Sequence, residues 1–340
     1  MTKNIILSLI TLLLIAGCNK NQSSYHTSDF RTELQPYIKR LSKERQIPVR
    51  DTIAHNFITT NCTREELLQL INHESPILRV TSYRILVDQN DKDYFTILNN
   101  HLNDTTKVEW WYYTDAAKET TVTDLMIRKL YDTSKLTRTQ KNTLIDSVLT
   151  SHLYLETSMY MMQDIAPQEK YYETIKQMCL NRTDRCGTHL SACYALSKFK
   201  KKEDVQFLKN IFINEESCKI WIFRSIENYP DPEYFEILEK YLNNNIRKEK
   251  QINSNDLKFY FGAIAAYQNE QSLNILKQLT KKESYQNNSN IDNNIKYALK
   301  AIHKHKSPLY NDLYNELKPK VEDYIMKYID EPYYLERTYW

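Results

Sequence analysis

Glycine is almost missing from this chain: three in 340 residues, where about 7% is usual. They are Gly17, Gly187 and Gly262. A phosphate-cradling loop or a dinucleotide fingerprint needs glycines that let backbone approach a ligand or take positive φ, so neither is present. Tight two-residue hairpins lose their usual residues too. Most nucleotide-dependent enzymes and most all-β folds are thereby excluded. An excess of one charge is also lacking, since 46 Lys and Arg face 43 Asp and Glu. The densest basic run, Lys198 to Lys202, reads as a solvated patch and not as a nucleic-acid footprint. There is no G-x-S-x-G elbow, and His73-Glu74 lacks the second histidine of a zinc-protease helix. His303 and His305, two apart, are expected on different sides of a helix. No catalytic residue, cofactor, metal site or nucleic-acid partner follows from these patterns.

The remaining composition, 41% hydrophobic and 26% charged, is that of a folded protein. At 340 residues the chain exceeds the roughly 250–300 at which one core stops growing, so several domains or a repeat array are expected.

Lys3 is followed by an apolar run from Ile5 to Ile15, too short for the roughly 20 residues of a membrane span. It ends in Ile15-Ala16-Gly17-Cys18, which resembles the lipobox of bacterial lipoproteins. That resemblance implies a signal peptide over 1–17, cleavage before Cys18, and acylation of Cys18 as the membrane anchor. Each buried methylene contributes about 0.8 kcal/mol, so two or three acyl chains hold a protein on a membrane. Asn19, where Asp would favour inner-membrane retention, implies the outer membrane. The polar stretch that follows makes 18–28 a lipidated cysteine and tether, with a reach of at most ~30–35 Å.

Beyond it the pattern is helical. Leu34, Ile38 and Leu41 share a face between Phe30 and Arg45, and Thr63-x-x-Glu66 is a capping box. In the stretch Ile222 to Leu242, Ile222, Phe223 and Ile226 stripe one helix, and Pro230 ends it. Asp231-Pro232-Glu233 then opens a second helix, striped by Phe235, Leu238 and Leu242. The unit recurs. Leu86, Leu196, Ile226 and Ile264 each stand nine positions before Phe95, Val205, Phe235 and Leu273, with clear copies 30 and 38 residues apart. A looser copy runs from Ile295 to Leu317 with its turn at Ser307-Pro308. Such periods belong to stacked helical hairpins, and these segments resemble HEAT repeats. The resemblance implies an all-α fold: a solenoid of antiparallel helical hairpins over 29–340, irregular over about 103–177, with nothing folded as a sheet. The Asp and Arg that often decorate such repeats are not regularly placed here. Thr137-x-x-Gln140 caps a helix carrying Leu144, Ile145, Val148 and Leu149.

Six cysteines less Cys18 leave an odd number, so at least one is free or pairs between molecules. Overlaying two consecutive repeats puts Cys186 and Cys218 near the starts of adjacent first helices, a candidate disulfide; Cys179–Cys186, across a short loop, fits equally. The same overlay makes Cys193 a small core residue and His189 a solvent position. Cys186, His189 and Cys193 share one helical face and Cys179 offers a fourth zinc ligand, yet the spacing matches no standard metal module.

Tyrosine is over-used, at 26 residues, with aromatic clusters at 110–113, 171–172, 333–334 and 339–340. Tyrosine filling inter-helix grooves accounts for most of them. The run Trp110-Trp111-Tyr112-Tyr113, placed in an insertion or at the start of a helix, is the candidate interaction surface. Together these features describe a membrane-anchored, periplasm-facing scaffold that binds an envelope protein or peptide without catalysis or a small-molecule cofactor. The alternative is an envelope enzyme acting on a glycan or cell-wall polymer. It requires two carboxylates about 5–10 Å apart beside Trp110 or Trp111.

Overall fold

The structure, a computed structural model, describes residues 24–112, 116–181, 186–247, 253–281 and 291–331. It is mostly helical and forms two compact units, Met1–Leu144 and Ile145–Trp340. Cys18 and its leader lie outside the described residues, as do Tyr113 and the clusters at 333–334 and 339–340.

Unit 1 is organised around α4 (Pro76–Asp88), after α1 (Gln35–Leu41), α2 (Thr52–Asn61) and α3 (Arg64–Leu70). Ser75 and Pro76 start α4 as the sequence indicates. Its Ile77, Leu78, Val80, Tyr83, Ile85, Leu86 and Val87 are all buried, which is how a helix apolar on every side must sit. It packs against α1, α3, α5 (Tyr94–Asn100) and α6 (Val122–Asp132). The Thr63 capping box at α3 forms as read, with Glu66 N 3.2 Å from Thr63 Oγ1 and Thr63 N 2.8 Å from Glu66 Oε2.

The expectation that nothing folds as a sheet does not hold. β1 (Gln46–Ile47) runs parallel to β2 (Lys107–Trp111), which pairs antiparallel with β3 (Ala117–Thr121) in the register Trp110↔Lys118. Trp110 and Trp111 of the aromatic run thus lie on a strand, which ends before Tyr112. Arg79, on α4, pins the start of β2: its fork grips Asp104 at 2.7 and 3.1 Å with both side chains largely buried. The expected tether is also shorter. Tyr25 bridges to His73, and His26 lies 3.0 Å from Glu74, so the chain is docked from Tyr25 onward.

His73 and His101 are buried in this unit, and burial holds both below the ordinary histidine value of 6.5. Glu74 opposes that shift at His73, whereas His26 and Arg79 reinforce it. His73 Nδ1 accepts from Ser75 N at 2.9 Å, which suits the neutral ring. A depressed histidine means that the unfolded chain takes up protons first, so stability drains as pH falls below about 6.5. Thermal melts should therefore show unit 1 weaker at pH 5 than at pH 7.5. His73→Asn, which keeps an acceptor for Ser75 N, should lower stability yet flatten that slope. An unchanged slope would remove His73 from the account.

In unit 2, entered within α7 (Arg138–Ser151), the helices come in pairs. The first members are α8 (Ser158–Asp164), α10 (Cys186–Ser197), α12 (Lys219–Asn228), α14 (Ser254–Ala265) and α16 (Ile291–Lys304). The second members are α9 (Glu169–Leu180), α11 (Val205–Ile213), α13 (Phe235–Tyr241), α15 (Glu270–Leu279) and α17 (Asn311–Leu317). First helices pack side by side in chain order, α8 on α10, α10 on α12, α12 on α14, α14 on α16. The helices expected here from the nine-residue offset are present, and Leu196, Ile226, Ile264, Leu208, Leu238 and Leu276 are all buried. Tyrosines do fill the grooves: Tyr260 donates to Leu238 O at 3.0 Å and Tyr310 to Ala265 O at 3.0 Å.

Cations join successive pairs. Lys176 reaches Asp204 and Lys202 reaches Asp231, both at 2.7 Å and across 28 and 29 residues. Arg64 reaches Asp93 in unit 1 at 2.6 Å across 29. Each aspartate sits where the second helix of a pair begins, so its charge also favours the helix N-terminus. This regular decoration escapes the sequence because the cation alternates between Arg and Lys.

Candidate functional site

A cleft of about 530 Å³ opens on the ladder of first helices, lined by unit 2 residues alone. α12 contributes Arg224, Glu227 and Asn228, whose i, i+3, i+4 spacing sets them on one face. α14 adds Lys258, Phe259 and Gly262, and α16 adds Lys300, Ala301, His303 and Lys304. Gln163, Tyr194, His305, Lys306 and residues 329–331 complete it. Five Lys and Arg outnumber three Asp and Glu in this lining, so an anionic ligand is favoured.

Glu227 is the acid at its floor. Its side chain is 10% exposed and meets His305 Nε2 at 2.7 Å and Lys304 Nζ at 2.9 Å. Burial alone would raise this carboxyl, but the His305 hydrogen bond and the neighbouring cations overrule it, leaving it below the ordinary carboxylate range. Gly262 makes room: a Cβ there would lie 2.9 Å from Glu227 Oε1. One of the chain's few glycines is thus required by a close approach and not by a turn. His303 and His305, expected on different sides, line the same cleft. His305, just past the end of α16, still donates its N–H to Ala301 O at 2.9 Å, and its ring turns to Glu227, while His303 meets Asp330 at 2.7 Å.

Arg224 is 7% exposed, with its guanidinium 4.3 Å from the Tyr194 ring centroid, 4.9 Å from Trp221 and 5.7 Å from Phe259. Lys258 is half-buried, and burial holds its ammonium below the ordinary lysine range. None of these residues was marked by a motif. Arg224 lies off the stripe of Ile222, Phe223 and Ile226, where a charged side chain reads as solvent-facing, so the sequence offered no signal for its burial.

The aromatic run lies elsewhere, in unit 1. Trp110 carries Arg128 at 3.9 Å and Lys118 at 5.4 Å over its ring, Trp111 carries Arg50 at 5.8 Å, and Tyr112 is exposed. The tryptophan faces that a sugar would stack on are thus engaged by cations of the same chain. Tyr171 and Tyr172 are core residues.

Cys218 is disulfide-bonded; the Cys186 side chain lies outside the described residues. Cys179 is free, which removes the alternative Cys179–Cys186 bridge, and Cys193 is free and fully buried, as the overlay implied. Cys62 is free as well, and burial pushes its thiol up to about 12, which makes it a poor nucleophile. His189 is 2% exposed, against the expected solvent position, and its Nε2 lies 3.3 Å from the buried Glu215. Lys219, its equivalent one repeat later, donates to the Glu215 carbonyl. Among the described residues no group of three His, Cys, Asp or Glu is placed to hold a metal, and no helix is long and apolar enough to cross a membrane.

Compared with protein-family models, with curated proteins and with solved structures, the chain matches none.

Proposed function

We propose that this chain is a lipid-anchored protein of the cell envelope, held through Cys18 to the outer membrane and facing the periplasm. Its HEAT-like helical repeats act as a non-catalytic scaffold for a protein or peptide. The observation that carries the binding reading is the cleft on the first-helix ladder, a concave surface with aromatic walls and a basic lining. The side-by-side order of first helices and the recurring cation–aspartate links favour the solenoid. The anchor rests on the lipobox-like leader.

For the anchor, Cys18→Ala is expected to abolish labelling by radioactive palmitate and to move the protein out of the membrane fraction; membrane association that persists without label would refute it. For the scaffold, a photo-crosslinking side chain at Tyr194 should give one discrete adduct in intact cells, and the same side chain at exposed Gln271 on α15 should give none. Equal crosslinking at both positions would count against the cleft.

A further inference from the structure

A guanidinium keeps its charge at any physiological pH, and a buried charge is costly unless an opposite charge completes it. Arg224 meets the first half of that rule and not the second. It is more than nine-tenths buried, yet its partners among the described residues are neutral: the Gln163 amide oxygen, 3.1 Å from Nη1, and three aromatic faces. No carboxylate among those residues lies within ion-pairing distance, although Glu227 stands one helical turn away and is committed to Lys304 and His305. Three rings within 6 Å and the Gln163 bond hold the fork in place. A pre-set fork loses little freedom when it takes up a two-pronged acceptor.

We infer that Arg224 is the recognition point for a carboxylate carried by the peptide bound in this cleft. The inference rests on the scaffold reading above and names the chemistry of its ligand. A carboxylate suits the site better than a phosphate dianion, because three acidic side chains in the lining already offset most of its positive charge. The carboxylate has two sources, a free peptide C-terminus or an acidic side chain.

Three fluorescent short peptides of one neutral sequence separate these outcomes on the full chain in detergent. One has a free C-terminus, one is amidated with an internal glutamate, and one is amidated and uncharged. At least one acidic probe should bind about tenfold more tightly than the uncharged one, and that preference should weaken as ionic strength rises. Whichever acidic probe binds identifies the source. Arg224→Gln and Arg224→Lys should both lose the preference, the second because an ammonium lacks the planar fork, whereas Lys277→Gln, at an exposed position of α15, should keep it. If Arg224→Gln fails to fold, the lysine variant and the salt dependence of the unaltered chain decide. Equal binding of all three probes overturns the carboxylate site but leaves peptide binding standing. Binding of none overturns both.

Discussion

Phe223→Ala should lower the melting temperature of unit 2 by about 6–20 °C, the equivalent of roughly 3–5 kcal/mol at about 2–4 °C per kcal/mol for a unit of this size. Phe223 is fully buried on α12 and makes edge-on contacts with Tyr241 at 4.9 Å and Tyr260 at 5.3 Å between centroids. Tyr241 and Tyr260 stand 5.3 Å apart in turn, so three rings from α12, α13 and α14 form one cluster. Truncation removes the ring that both tyrosines pack on, and neither can follow it freely, because Tyr260 is tied to Leu238 O. The cavity therefore stays open, which sets the cost at the upper end for such a change. Phe207→Ala on α11 is the control: its ring is only half-buried, under Lys176 at 5.6 Å, and it should cost less than half as much. Equal losses would mean that α12 is not the centre of the ladder.

The second large effect changes sign with its background. Alanine is favoured over glycine inside a helix by about 1 kcal/mol, so Gly262→Ala would stabilise α14 if nothing stood over it. Glu227 does, at 2.9 Å from the added Cβ. A flexible surface carboxylate would swing aside; this one is nine-tenths buried and gripped by His305 and Lys304. Overpacking costs about 1–3 kcal/mol, so Gly262→Ala alone should be neutral to destabilising by about 2 kcal/mol. Glu227→Ala alone is destabilising, though less than the roughly 3–5 kcal/mol of a fully buried pair, because Lys304 is half exposed and can be hydrated. In the Glu227→Ala background the glycine replacement should turn stabilising, by about 1 kcal/mol. A double-mutant cycle by thermal melting measures this, and additive effects would refute the contact.

Acid reads out the same carboxylate. A carboxyl depressed in the folded state adds stability that is complete above the ordinary glutamate value of 4.5 and drains as pH falls below it. Glu227→Gln should remove that part of the acid limb and leave the loss below pH 6.5, which comes from His73 and His101 in unit 1, as it was.

The helices were legible in the sequence because what starts and stripes each of them is local. Leu86, Leu196, Ile226 and Ile264 carry the period of their own helices, and Thr63, Ser75, Thr137 and Asp231 mark starts that cap or open helices within a few residues. The small sheet was not legible. β1 is two residues long and acquires a partner only from a strand some sixty residues on, so no alternation of its own can announce it. β2 lies in a run of aromatics that also reads as the start of a helix. His189 was misplaced because an overlay of repeats transfers position and not environment: one repeat supplies the buried Glu215 that receives it.

What the sequence determined by itself is that the chain is mostly helical, because the residues that start and stripe each helix are local to it. What only the tertiary structure decided is the cleft. Arg224, Gly262 and His305 come from different helix pairs, and Glu227 meets His305 across 78 residues. Burial, which makes an arginine without an acid costly and a glycine indispensable, exists only once α12, α14 and α16 lie side by side.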